Sequence, residues 1–305
     1  MTIYFRPRGG LGNQLFVYAA GRALADTLGV GLVADLVHLA NDKKRSYELV
    51  SLPLRIDAVI NAHVEEGPTR HQRFGNLKRL SRRVISADPS IFSERGFWFD
   101  PNLLNAPDGS TIDGFFQSWK YFHSIRDSVR TEISHLVSPS NWYEETSKKL
   151  LALGSWIGVH VRRDDYLNIS GMGIADSYYY SHALNLLEKL TGVTSLVVFS
   201  DDEGRAREVE AFEHRAGVNF INVPRGSKPI ESLMLMSQAH HLVIANSTFS
   251  WWAAWVGENQ GRYVIYPRPW VDFKSVNDRD LSYPSWVGVG RNAPEEAWSM
   301  NVLPS

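Results

Sequence analysis

The segment His160-Val-Arg-Arg-Asp-Asp-Tyr166 holds an imidazole, two adjacent guanidiniums and two adjacent carboxylates. Arginine matches phosphate geometry with a two-pronged fork and stays charged at any working pH. Arg162 and Arg163 could therefore hold an anion. The plainer alternative is a surface cluster in which the four charges pair with one another. A short apolar run, Trp156 to Val161, precedes them and reads as a buried strand. In open α/β sheets the end of a strand is where ligands bind, which favours a phosphate-bearing ligand here, most simply a nucleotide.

Three other stretches carry candidate chemistry. Arg6-Pro-Arg-Gly-Gly-Leu-Gly-Asn-Gln14 has glycines at 9, 10 and 12 between a short strand and a helix. Such a loop lets main-chain N–H groups approach an anion. Its spacing matches neither the dinucleotide fingerprint nor the P-loop, which disfavours hydride transfer and P-loop ATP hydrolysis and leaves a tight turn as the alternative. Asn246-Ser-Thr-Phe-Ser250 sits where a strand turns into a helix, so its hydroxyls suit a phosphate or, more simply, a helix N-cap. Asp201 and Asp202 follow another strand and could bind a metal, hold a ribose or base, or cap the next helix. Asp278-Arg-Asp280 has a spacing that can hold a divalent ion, but its flanks read as a solvated loop. Trp251, Trp252 and Trp255 recur at helical spacing and are expected to be packing. The basic stretch from Arg70 to Arg83 suits an anionic membrane surface or an acidic acceptor, although a solvated face is the commoner use of such a run.

These groups need elements to position them. Strand signals at Ile3–Phe5, Val30–Ala34, the first half of Asp113–Phe122, Trp156–Val161, Ser195–Ser200, Val218–Val223, His241–Ala245 and Arg262–Tyr266 alternate with helical patterns. The helices are expected from Gln14 to Leu28, through much of 123–150, and over Ser177–Leu190, Glu203–Phe212, Ile230–Ala239 and Trp251–Gly257. Such alternation means parallel sheets, and right-handed crossovers bring the strand ends to one side. Arg162, Arg163, Asp201, Asp202 and Asn246–Ser250 are thus expected along one rim.

At 305 residues the chain is long enough for two domains, and 44% hydrophobic residues support a real core. The formal net charge of −1 argues against a general nucleic-acid binder. There is no cysteine, which excludes disulfide and thiol chemistry and fits a reducing compartment. The N-terminal residues lack the apolar stretch of a signal peptide, and no apolar run approaches the ~18–20 residues of a membrane span. The expectation is a soluble cytoplasmic protein.

Five motifs occur in order: Gly9-Gly-Leu-Gly-Asn-Gln-Leu-Phe16, Gly114-Phe-Phe-Gln-Ser-Trp-Lys-Tyr-Phe122, His160 to Tyr166, Phe199-Ser-Asp-Asp202 and Ala245-Asn-Ser-Thr-Phe-Ser-Trp-Trp-Ala-Ala-Trp255. In these the chain resembles the bacterial α-1,2-fucosyltransferases and, more distantly, the α-1,6- and protein O-fucosyltransferases. The resemblance implies a GT-B-like α/β fold, two Rossmann-like doubly wound domains facing a cleft. Residues 1–145 would form the acceptor-side domain, 146–270 the GDP-sugar domain, and 271–305 a tail returning to the first. It implies inverting, metal-independent transfer of L-fucose from GDP-β-L-fucose to the 2-hydroxyl of a terminal galactoside, free or lipid-linked. No cofactor is implied, and any membrane contact would be peripheral, at the inner face.

By the same resemblance Arg162 would hold the β-phosphate, and His160 and Glu231 the guanine. Ser247, Thr248, Phe249 and Ser250 would add nucleotide contacts, and Asn13 would reach across the cleft to the diphosphate or fucose. Gly10, Gln14, Arg163, Asp202 and Asn246 complete the implied donor set. Arg162 and Asp165 would be catalytic, Asp165 as the base or as an orienting group. Two departures stand out: Asp164 where the family has Gly, and Glu231 where it has Asp. They leave other GDP-sugars open as donors. A GDP-sugar- or galactoside-binding protein without chemistry is the non-enzymatic alternative.

Overall fold

A computed structural model describes residues 1–60 (apart from 38 and 43), 91–163, 173–272 and 279–293. Asp164, Asp165, the basic stretch from Arg70 to Arg83, and Asp278 lie outside the described residues. The chain divides into two compact units, Met1–Val137 with Arg279–Leu281, and Ser138–Asp278 with Ser282–Ser305.

Unit 1 contains β1 (Thr2–Phe5), α1 (Leu11–Leu28), β2 (Gly31–Asp35), β3 (Ala58–Ile60), β4 (Ile91–Ser93), β5 (Thr111–Asp113) and α2 (Arg126–Ser134). Its strands pair in the order β3-β2-β1-β5-β4, all parallel. Helix α1 begins three residues before the expected Gln14, on Gly10. It is buried almost all round from Leu11 to Ala25, so its apolar residues are too many to mark a single face. Strand β5 ends at Asp113, earlier than the aromatic run suggests. Phe116 takes φ 50°, which no extended strand accommodates, and residues 114–118 turn away instead.

Unit 2 contains α3 (Asn141–Ala152), β6 (Ile157–Val161), α4 (Ser177–Thr191), β7 (Leu196–Ser200), α5 (Glu203–Arg207), β8 (Val218–Phe220), α6 (Pro229–Ser237), β9 (His241–Val243), α7 (Thr248–Val256), β10 (Val264–Arg268) and β11 (Val287–Gly290). Its parallel strands run β11-β10-β9-β6-β7-β8. Read from β8, this is the Rossmann order 3-2-1-4-5-6, and the winding reverses between β6 and β9. The helix expected over Glu203–Phe212 breaks after Arg207 and resumes as one 3₁₀ turn at Glu210–Phe212.

Every residue of β6 is buried, as a central parallel strand requires. Ile157, Val159 and Val161 pack with Tyr179, Tyr180, Leu184 and Leu187 of α4 and with Leu196 and Val198 of β7. Trp251, Trp252 and Trp255 are buried as expected, and Trp286 from the C-terminal segment packs on Trp251 at 5.4 Å between ring centroids. Each such indole removes on the order of 200 Å² from water, roughly 5 kcal/mol of gross transfer free energy, which fixes α7 on its unit.

At the opposite end of α7, Arg262 donates from Nη1 to the carbonyls of Ser237 (3.2 Å) and Gly257, which end α6 and α7. Burial lowers its pKa to about 10, against the opposing pull of Glu258. A Cβ at Gly257 would overlap both that guanidinium and the Ser237 carbonyl, so glycine is the residue that fits.

Candidate active site

In unit 2 the switch point lies between the ends of β6 and β9. Arg162 leaves β6 and pairs through Nε with Asp201 Oδ2 at 3.1 Å; the two side chains are 20% and 16% exposed. The other oxygen of Asp201 accepts from the Arg163 main-chain N–H at 2.9 Å. One carboxylate at the end of β7 thus holds the first two residues beyond β6. The Arg163 side chain turns back, and Nη1 donates to the Ala175 carbonyl at 2.8 Å.

His160 is buried and sits on the Phe249 ring at 5.8 Å between centroids. This contact joins the end of β6 to the start of α7. Burial, and then the charge of Arg162, push the imidazole pKa down to about 3, with Asp201 opposing. His160 is therefore neutral at any working pH, and its buried Nδ1 has no hydrogen-bond partner among the described residues.

Helix α7 starts at Thr248, three residues before the expected Trp251, and Ser247 does not cap it with its side chain. This nine-residue helix places the positive end of its dipole at the rim. Ser250 turns its hydroxyl back to the Ser247 and Ala245 carbonyls, at 3.2 and 3.4 Å.

Two tyrosines that no sequence motif singles out hold this rim in shape. Tyr180 donates to the His160 carbonyl at 3.0 Å. Tyr179 donates to the carbonyls of Ile244 and Ile265 at 2.6 and 3.0 Å, joining the end of β9 to β10. The run Ser177-Tyr-Tyr-Tyr180 at a helix start was the available signal.

Several residues of the expected donor set are committed to the fold. Asn246 spends its amide on the carbonyls of Gly173 and Trp270, both at 3.0 Å. Arg291 supports the same place, donating to the Trp270 carbonyl at 3.3 Å and to Asp272. Asp202 caps α5, accepting from the Arg205 N–H at 3.0 Å. Both oxygens of Glu231 are engaged by Ser140, one by its N–H at 2.7 Å and one by its hydroxyl at 2.8 Å. That bond joins α6 to the start of α3.

Unit 1 has a switch point of its own, between β1 and β5. Gly10 stands at the N-cap of α1 with extended backbone. Gln14 is fully buried; its amide donates to the Gly9 and Ser46 carbonyls, both at 2.8 Å, and its oxygen accepts from the Glu48 N–H at 2.9 Å. It braces the glycine loop. Asn13, one residue earlier, accepts from Gln117 Nε2 at 3.0 Å. Arg6 bridges Asp35 and Asp113 at 3.0 and 3.3 Å.

Asp280 is not the solvated residue expected. It is buried in unit 1, accepts from the Phe99 N–H at 2.9 Å and pairs with Lys120. Burial raises its carboxyl, but Lys120 and the amide outweigh that and hold it below the usual range. Among the described residues no three His, Cys, Asp or Glu side chains gather as metal ligands, and no helix is long and apolar enough to cross a membrane.

A family model described as Glycosyl transferase family 11 matches residues 110–290, more than half of the chain. The alpha-1,2-colitosyltransferase of Escherichia coli is 28% identical over 308 residues, covering 93% of this chain and 97% of its own. The O-antigen biosynthesis glycosyltransferase WbnK of Escherichia coli is 25% identical over 304 residues, 92% of this chain and 98% of its own. The galactoside alpha-(1,2)-fucosyltransferase 1 of Homo sapiens is 26% identical over 307 residues, 94% of this chain and 74% of its own.

Proposed function

This chain belongs to glycosyl transferase family 11, the α-1,2-fucosyltransferase family, and from that premise we propose that it moves L-fucose from GDP-β-L-fucose to the 2-hydroxyl of a terminal galactoside. The observation that carries the donor half is the rim of unit 2. There Arg162, oriented by Asp201, and the N-terminal end of α7 flank one topological switch point. A diphosphate leaving group asks for this combination of a forked cation and helix-end amides.

In the proposed reaction the acceptor O2 attacks the anomeric carbon from the face opposite the nucleotide. The bond from that carbon to the β-phosphate oxygen breaks, and the configuration inverts. Negative charge grows on the departing GDP, where Arg162 and the α7 amides oppose it without reorganising, the usual source of large rate effects. The acceptor proton passes to a base, which we assign to Asp165, and no metal takes part. Neutral His160, its ring tilted at 36° to that of Phe249, offers the guanine a polar group that does not titrate above about pH 3. Ser247 and Thr248 complete the phosphate side. Asn246, Gln14, Asp202 and Glu231 act as braces of the two rims.

One observation favours a second donor: the Escherichia coli relative at 28% identity is an alpha-1,2-colitosyltransferase. A single assay separates the readings. The chain is incubated with a panel of GDP-sugars, lactose as acceptor and EDTA. Product from GDP-fucose alone supports the proposal, and product from GDP-colitose alone supports the second donor. A strict requirement for an added divalent ion refutes the metal-free mechanism. GDP binding without any product makes the chain a binding protein.

A further inference from the structure

Glu94 follows β4, the strand beside β5, and no sequence motif singles it out. Its carboxylate accepts from the N–H groups of Phe115 and Phe116, both at 2.7 Å, and from that of Gln117. Three consecutive main-chain amides around one carboxylate form an anion nest, here filled from within the chain. The residue at its centre, Phe116, has φ 50° and a fully buried ring. That left-handed conformation costs a non-glycine residue about 1–2 kcal/mol, so the turn exists because something outside it holds it. Gly114 makes room for the holder: a Cβ there would overlap the Glu94 side chain.

The turn delivers one side chain, Gln117. It is 8% exposed and donates to Asn13, so the ends of β5 and of the glycine loop are held in register. Two residues before it in the same turn, the half-buried ring of Phe115 stacks on that of Phe97 at 6.3 Å and 21°. Carboxamides for hydroxyls, next to an aromatic face for C–H groups, are the chemistry that recognises a neutral sugar.

We propose that Glu94 is a positioning residue for the acceptor galactoside. It holds the 115–117 turn, and through it sets the Gln117 carboxamide against the acceptor, with Asn13 as the anchor. Glu94 itself touches no substrate. The proposal rests on the transfer reaction proposed above.

The test uses the full chain with Glu94→Gln, Glu94→Ala, Gln117→Ala and the double Glu94→Ala/Gln117→Ala. It measures KM for lactose and for GDP-fucose (or whichever GDP-sugar the wild type uses), kcat, and GDP affinity by calorimetry. In Glu94→Gln an amide N–H group meets main-chain N–H groups, so the lactose KM is expected to rise at least tenfold. GDP affinity should stay within twofold of wild type. The double variant should match Glu94→Ala within twofold, because the two side chains act as one unit.

An unchanged lactose KM, GDP affinity that falls in step with it, or additive losses in the double variant would overturn the proposal. Should the Glu94 variants fail to fold, Gln117→Ala decides: a tenfold lactose KM rise supports the proposal and an unchanged KM overturns it. A wild type that makes no product from any GDP-sugar overturns the transfer reaction and this inference together. Product from the wild type with an unmoved acceptor KM in every variant overturns this inference alone.

Discussion

Replacing Arg162 by Ala should do two separable kinds of damage. The first is loss of a donor that stabilises leaving-group charge, which costs about 10²–10³ in kcat at such sites. The second comes from the partner left behind. Asp201 sits 3.1 Å from the Arg162 Nε, so a phosphate on the far side of the guanidinium lies about 6 Å from that carboxylate. At an effective dielectric of 20, like charges at that distance repel by about 3 kcal/mol. Both side chains are partly exposed, and solvent screening reduces this to roughly half, about a tenfold loss of donor affinity. Asp201→Asn in the Arg162→Ala background removes the repulsion but restores no donor.

Steady-state kinetics with GDP-fucose and lactose, together with GDP titration calorimetry, read the two terms apart. Arg162→Ala should bind GDP about tenfold more weakly than the double variant, while both share the same hundredfold or greater loss of kcat. Turnover of Arg162→Ala within threefold of wild type would refute the phosphate role. A double variant that binds GDP no better than Arg162→Ala would refute the electrostatic role given to Asp201.

Other consequences are open to measurement. His160 is neutral when folded, with a pKa near 3, but protonates near 6.5 when unfolded. The unfolded chain therefore binds more protons between those values, and stability falls as pH drops through that window, by up to tenfold in the folding constant per pH unit. Urea denaturation of His160→Gln should show a shallower acid dependence from pH 6.5 to 4; an identical slope would contradict the assignment. Gly257→Ala should cost about 2–3 kcal/mol, because its Cβ meets main chain as well as Arg262, and a thermal midpoint unchanged within a degree would disprove the close approach. Asn246→Ala leaves the carbonyls of Gly173 and Trp270 without its amide, so about 1–3 kcal/mol of stability should go, visible in the denaturation midpoint.

What the sequence made legible follows from what local patterns encode. Strand–helix alternation was readable, and with it the rim that gathers Arg162, Asp201 and Ser247. Packing of Trp251, Trp252 and Trp255 was readable from helical spacing. The turn after β5 was not, because aromatic residues that favour strands there obey a carboxylate from another strand. Glu94 stands alone between Ser93 and Arg95 and has no spacing signal at all. Residue type alone likewise did not show the structural bonds of Gln14, Asn246 and Glu231. Polar groups in motifs suggest ligands, yet buried main-chain amides and carbonyls need partners first, and these side chains meet that demand. Asp280 looked solvated because its partner, Lys120, lies 160 residues away.

Arg262 carries a consequence for the proposed reaction although it lies at the C-terminal end of α7, just before β10. Helix α7 is nine residues, about 13 Å, long, and its two ends are opposite poles of one dipole. A cation seated on the negative pole cancels it and leaves the positive pole at the rim acting nearly alone. If the nucleotide binds at the start of α7 as proposed, substituting Arg262 by a neutral residue weakens that binding without altering a group the nucleotide meets. Selection for affinity can act on a residue at the other end of α7, and drift there can retune the enzyme while the motif around Arg162 stays unchanged.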